Sequence, residues 1–165
     1  MRKQSPTHTH NVEIQVDDQF QQRVPVEPLQ KAAIATLTHQ NVAGTCELAV
    51  VVTDDEALHE LNLRYRNVDA PTDVLAFPDE TRGPFVNAPG LPRYLGDVII
   101  SLQRAEAQAA EAGHDLTSEL QLLVVHGILH LLGYDDQIDE KRARMWSAQS
   151  AILSSLGIAV NLPEW

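Results

Sequence analysis

Val12, Ile14 and Val16 alternate with polar neighbours, the two-residue period of a strand with one buried face. Over residues 28–38, Leu29, Ala32, Ala33 and Leu37 recur at helical spacing behind a proline suited to a first turn. The run CELAVVVT at 46–53 is short, apolar and β-branched, which predicts a buried strand. Asp54, Asp55 and Glu56 then open a helix. Asp54 suits the N-cap, the acidic side chains favour the positive end of the helix dipole, Leu58 and Leu61 share a face, and Arg64 and Arg66 fall near the C-terminal end. Residues 69–73 read as a turn and 74–77 as a strand stopped by Pro78. Pro84, Pro89, Pro92, Gly83 and Gly90 make 79–93 a long irregular loop of the kind that serves function or moves.

A strand over 95–100 leads to an alanine-rich helix capped by Ser101 and ended by Gly113. A nearly all-apolar helix covers about 117–132 and stops at Gly133, and a last amphipathic helix occupies roughly 139–156. About four short strands and about five helices, with no repeat and no linker, predict an α+β fold: a single domain over 11–165 with helices packed on one small mixed sheet. The strands are too few and too irregularly spaced for a barrel. Residues 1–10 read as a flexible tail, in which His8 and His10 lack the preorganisation a metal site needs.

Composition narrows the function. At 165 residues with 44% hydrophobic, the chain suits one ordinary core and excludes wholesale disorder. No uninterrupted apolar run of about 18 residues exists, and the polar N-terminal stretch does not read as a secretory signal. The lone Cys46 points to a reducing, cytoplasmic setting. Twelve basic against twenty-three acidic residues give −11, so the chain has no broad basic field with which to hold nucleic acid. Work on phosphates must rest on a few local cations, a metal, or a partner.

The chemistry concentrates in VHGILHLLGYDD, residues 125–136. Four helical residues turn through about 400°, so His126 and His130 stand within about 40° of one face and about 6 Å apart along the axis. Both imidazoles then reach one ion at about 2.0–2.1 Å. Gly133 reverses the chain, so Asp135 or Asp136 can return toward the pair and leave coordination positions open, as in catalytic zinc sites. The competing reading is two core histidines in a buried helix, whose four ring nitrogens would all need partners. In zincin peptidases a glutamate base follows the first histidine; here that position is Gly127, which takes no proton and disfavours a peptidase.

These residues resemble a known family. HGILHLLGYD at 126–135 is similar to the H-G-x-L-H-L-x-G-Y-D-H signature of the YbeY-type endoribonucleases, zincin-like rRNA maturation factors of bacteria. LNLRYRNVDAPTDVLAFP at 61–78 is similar to the family's L-N-x-x-Y-R-x-x-D-x-P-T-D-V-L-S-F-P, and LGDVIIS at 95–101 fits its L-G-D-I-x-I-S strand. The matches run in order over most of the chain. The resemblance implies a metal-dependent endoribonuclease that cuts single-stranded RNA in 16S rRNA 3′-end maturation and ribosome quality control. It implies one ion, usually zinc, on His126, His130 and Asp136, with Arg66 at the family's arginine position. The implied partners are the 16S rRNA precursor, small-subunit ribosomal proteins and an assembly GTPase, with no membrane.

Asp136 departs from the pattern, which has histidine there. A carboxylate still binds zinc at about 2.0–2.2 Å. Its charge makes the ion a weaker Lewis acid, and a two-histidine, one-carboxylate set also suits Mn(II) or Fe(II). The plainer role for Asp136 is N-cap of the last helix, while Asp135, an aspartate in the family too, is expected to serve the turn. Arg66 would clamp a phosphate; Thr72 and Asp73 read as structural, and no general base is evident. Arg64, Arg82, Arg93 and Arg104 are candidates for an RNA path, and Tyr65, Tyr94 and Phe85 for base stacking, although packing explains each of these rings as well. Two rival functions stand beside the nuclease: a non-catalytic assembly factor with an altered site, and a small-molecule metallohydrolase.

Overall fold

The computed structural model describes residues 10–79 and 92–158. The alternating N-terminal segment forms β1, Asn11–Val16, and CELAVVVT forms β2, Cys46–Thr53, with α1, Val26–His39, between them. Then come α2, Asp55–Arg66; β3, Val74–Pro78; β4, Arg93–Ser101; α3, Leu102–Ala112; α4, Leu116–Leu131; and α5, Asp139–Ser155. The strands lie in the order β1-β2-β4-β3, with β1, β2 and β4 parallel and β3 antiparallel to β4. Among the described residues, one mixed four-stranded sheet carrying five helices is the α+β architecture that the element order predicts.

The punctuation residues act as their chemistry requires. The Asp54 carboxylate accepts from the Ala57 amide at 2.8 Å, Ser101 Oγ from the Arg104 amide at 3.3 Å, and Gly113 closes α3 at φ +77°. Other boundaries shift. α1 begins two residues before Pro28, which therefore sits inside the first turn, where its missing N–H removes no helical bond. α4 starts at Leu116 because Asp115 caps it, accepting from the Ser118 amide at 2.7 Å. β4 begins at Arg93, so the end of the expected loop 79–93 is strand, its amide bonded to the Thr45 carbonyl at 3.0 Å. The rest of that loop, 80–91, lies outside the described residues, as do 1–9 and 159–165. His10, grouped with the tail on composition, is buried, and its Nδ1 accepts from the Cys46 amide at 3.1 Å. A single 3₁₀ turn, Asp18–Phe20, which periodicity does not reveal, tucks Phe20 into the core.

α4 is the axis of the molecule. Eleven of its 16 residues are buried, and it touches β3, β4, α1, α3 and α5. A helix apolar on every side belongs in such a place. It lies unusually close to the sheet at one point: a Cβ on Gly127 would stand 2.5 Å from Val98 Cγ1 on β4. Gly127 is thus the contact that seats the histidine-bearing turn on the sheet, and this explains why a side chain is missing between two histidines.

Candidate metal centre

His126 and His130 project from adjacent turns of α4, with ring centroids 4.7 Å apart and planes at 74°. Each ring is anchored through Nδ1. His126 Nδ1 donates to Gln149 Oε1 on α5 at 3.0 Å, and His130 Nδ1 donates to the Tyr134 carbonyl at 3.0 Å. With both protons committed there, the two Nε2 lone pairs face each other 3.2 Å apart. Two acceptors so placed repel unless a cation stands between them. Two nitrogens about 2.05 Å from one tetrahedral ion would be separated by about 3.3 Å, so the spacing fits a shared metal. Burial first, and then the neighbouring His130, hold the His126 imidazole below its ordinary pKa, which favours the neutral, ligating form.

The third donor arrives by the reversal after α4. Gly133 adopts φ +99°, a left-handed conformation that glycine enters without a Cβ penalty, and the Tyr134 amide returns to the Leu129 carbonyl at 3.0 Å. Asp135 then closes a local turn by accepting from the Gln137 amide at 2.9 Å. That leaves the Asp136 carboxylate 3.7 Å from His130 Nε2, while its carbonyl accepts from Arg142 Nε at 2.9 Å. The N-cap of α5 is Ile138, with no side-chain cap bond, so the capping role for Asp136 does not hold. Among the described residues, His126, His130 and Asp136 form the cluster able to hold an ion, with one donor atom from each lying within 4.8 Å of the others.

These side chains open into a cavity of about 1000 Å³ whose rim also includes the end of α2. That part of the rim is built by a tight return. Asn67 caps α2 in the left-handed region at φ +58°, and the buried Asn62 amide donates to the Ala70 carbonyl at 2.9 Å. His59 Nε2 lies 2.6 Å from Asp69 across the same bend. The return sets Tyr65 and Arg66 at the cavity mouth, where Arg66 is the one arginine or lysine among the described lining residues. Thr72 and Asp73 also line the cavity, but the Asp73 carboxylate is spent on structure: Oδ1 accepts from the Val74 amide at 2.8 Å and Oδ2 from Gln108 at 3.2 Å.

The other candidates divide sharply. Arg104 is ion-paired to Asp55 at 3.0 Å, Arg93 lies in β4, and Tyr94 donates its hydroxyl to Asp97. Arg64 is exposed on α2 and does not line the cavity; Arg82 and Phe85 fall outside the described residues. Gln149 escapes a reading of motifs because it is 23 residues from the histidine it holds. A trace of it exists in the sequence: an amide at 149 interrupts the core-facing stripe of Met145, Ala148, Ile152 and Leu153.

A mixed sheet under a buried helix, with a two-histidine, one-carboxylate pocket at the helix end, defines a single-domain protein with a candidate mononuclear metal centre. The family model of Endoribonuclease YbeY matches residues 10–157. Relatives named Endoribonuclease YbeY include that of Roseiflexus castenholzii, 47% identical over 151 residues, covering 90% of this chain and 94% of the relative. Those of Chloroflexus aggregans and Moorella thermoacetica are 47% and 49% identical, covering 91% and 79% of this chain and 98% and 83% of their own lengths. The solution structure of TM1509 from Thermotoga maritima matches the fold with a TM-score of 0.54 at 22% identity, covering 88% of this chain and 91% of that one. The chain belongs to the endoribonuclease YbeY family.

Proposed function

We propose that this endoribonuclease cuts unstructured RNA with one divalent cation held by His126, His130 and Asp136, and that it serves 3′-end maturation of 16S rRNA in the cytoplasm. The observation that carries the reading is the pair of Nε2 atoms 3.2 Å apart whose Nδ1 protons are already committed. Zinc suits two imidazoles and a carboxylate; the same set also takes Mn(II) or Fe(II). A cation held by these three side chains would supply Lewis-acid polarisation of a phosphodiester oxygen and a water of lowered pKa.

The chain's own residues supply the rest. The Gln149 oxygen and the Tyr134 carbonyl hold both imidazoles in the ligating tautomer. Arg66, permanently charged and fork-shaped, meets a phosphate from the α2 part of the rim and offsets charge that builds as the bond breaks. The Asp73 carboxylate is engaged by the Val74 amide, the Thr72 hydroxyl and Gln108, so we give it a structural role rather than that of a base. Solvent water would take the proton in place of a protein base. Because the chain carries −11, delivery to rRNA rests on docking to small-subunit ribosomal proteins and an assembly GTPase rather than on free affinity for RNA. Among the described residues no helix is long and apolar enough to cross a membrane.

The deciding experiment is His130→Ala, assayed on unstructured RNA alongside circular dichroism and metal content. Cleavage should fall to background and the bound metal should be lost, while the helical signal persists. A folded His130→Ala protein that cuts RNA at the unsubstituted rate would overturn the assignment.

A further inference from the structure

Seven large apolar or aromatic side chains are exposed among the described residues, and of these Tyr65 is both the most open, at 62%, and the one that lines the cavity of the metal cluster. Its ring is not loose. It meets Phe77 of β3 edge-on, with centroids 5.3 Å apart and planes at 67°. An edge contact fixes the orientation of a ring and leaves a face open, which lowers the ordering entropy of anything that stacks on it. Arg66 follows directly in the chain, on the same last turn of α2, and both side chains line the one cavity, so an open aromatic surface and a guanidinium serve the same space.

A nucleotide presents a planar base at one end of its sugar and a phosphate at the other. We propose that Tyr65, steadied by Phe77, is a base-stacking subsite that grips one unpaired nucleobase next to the phosphate held by Arg66. The inference deepens the nuclease reading and rests on it. The charge balance favours it: with a net charge of −11, Coulomb attraction cannot supply the hold on RNA, and stacking is a term that this charge does not oppose. It also gives a physical reason for a preference for single strands, because a base already paired inside a helix has no free face to offer. Stacking tolerates every base, so the subsite should grip without reading sequence.

The test uses Tyr65→Ala, Tyr65→Leu and Tyr65→Trp with unstructured RNA. Tyr65→Ala should raise KM about tenfold, more than it lowers kcat. Tyr65→Leu should behave like Tyr65→Ala, and Tyr65→Trp should restore tight binding. In an RNA carrying one abasic site moved stepwise past the cut, the unsubstituted enzyme should lose affinity at one position, and Tyr65→Ala should lose nothing further there. A 2-aminopurine oligonucleotide added in EDTA reads stacking without cleavage: its fluorescence should be quenched by the unsubstituted protein and not by Tyr65→Ala. Full recovery with Tyr65→Leu would show packing rather than stacking. That result, an unchanged KM for Tyr65→Ala, or equal quenching by both proteins would overturn the subsite. If the unsubstituted enzyme cleaves no RNA, the nuclease reading fails, and the quenching experiment still decides whether Tyr65 stacks a base.

Discussion

The two walls of the cavity are built on opposite principles. On the α4 side the histidines belong to a buried helix, each ring is held by a hydrogen bond at its far nitrogen, and Gly127 presses the turn onto β4. On the α2 side Tyr65 and Arg66 are exposed at the end of the helix, just before a backbone return through Asn67, Asn62 and Ala70, and the Tyr65 ring is steadied edge-on by Phe77. The contrast follows the chemistry. A cation demands donors fixed to tenths of an ångström, and hydrogen bonds at the far nitrogens hold both candidate imidazoles in place. A polymer substrate arrives in many local conformations, and exposed side chains at a helix end would suit it better than buried ones.

Substitutions on the two walls should therefore separate metal binding from substrate handling. The largest effect is expected at Arg66. Arg66→Ala should lower kcat/KM on RNA by about 10²–10³-fold, as loss of a charge that opposes transition-state charge does, while metal affinity stays unchanged. Loss of metal from that variant would show that the walls are not independent. Next comes Gln149→Leu, which removes the partner of His126 Nδ1 from outside the ligand set. Zinc affinity, measured by competition with a chromophoric chelator, should fall about 10–100-fold, and Gln149→Glu, which keeps an acceptor oxygen, should recover most of it. If Gln149→Leu binds zinc normally, the tautomer of His126 is set elsewhere.

Gly127→Ala probes the seating of the helix. Its new methyl carbon would meet both Val98 methyl groups, at 2.5 and 3.1 Å, and should destabilise the protein by about 1–3 kcal/mol in urea unfolding. The pairing with Val98→Ala should be non-additive, because the smaller partner makes room. The mildest effect is expected for Asp136→His. It exchanges a carboxylate for an imidazole without disturbing the α5 cap, so stability should hold and metal preference should move from manganese toward zinc. An unaltered preference would remove Asp136 from the coordination set.

What the sequence revealed, and what it hid, divides along the same line. The spacing of His126 and His130 is a property of one helix, and helical spacing is local, so the pair was legible before any coordinates. So were Asp54, Ser101 and Gly113, whose hydrogen bonds span three or four residues. The 3₁₀ turn at Asp18–Phe20 carries too few residues to show a period, and β4 runs back to Arg93 because pairing with β2, rather than its own pattern, decides where it begins. Gln149 and the burial of His10 depend on contacts 23 and 36 residues away, which no local pattern encodes. Spacing alone left Asp135 and Asp136 open, and the family resemblance is what implied Asp136 as the ligand and Asp135 as the turn residue. The Asp135 carboxylate that accepts from the Gln137 amide fits that division.

The donors sit on both sides of the reversal at Gly133, two on α4 and one in the segment leading to α5, while α5 returns Gln149 to the first of them. Any ion bound there ties the last helix to the central one. Since only the folded chain brings these groups together, every tenfold rise in free ion above its dissociation constant adds about 1.4 kcal/mol to the folding free energy. The hold of α5 on the rest of the molecule thereby becomes a readout of the surrounding metal supply.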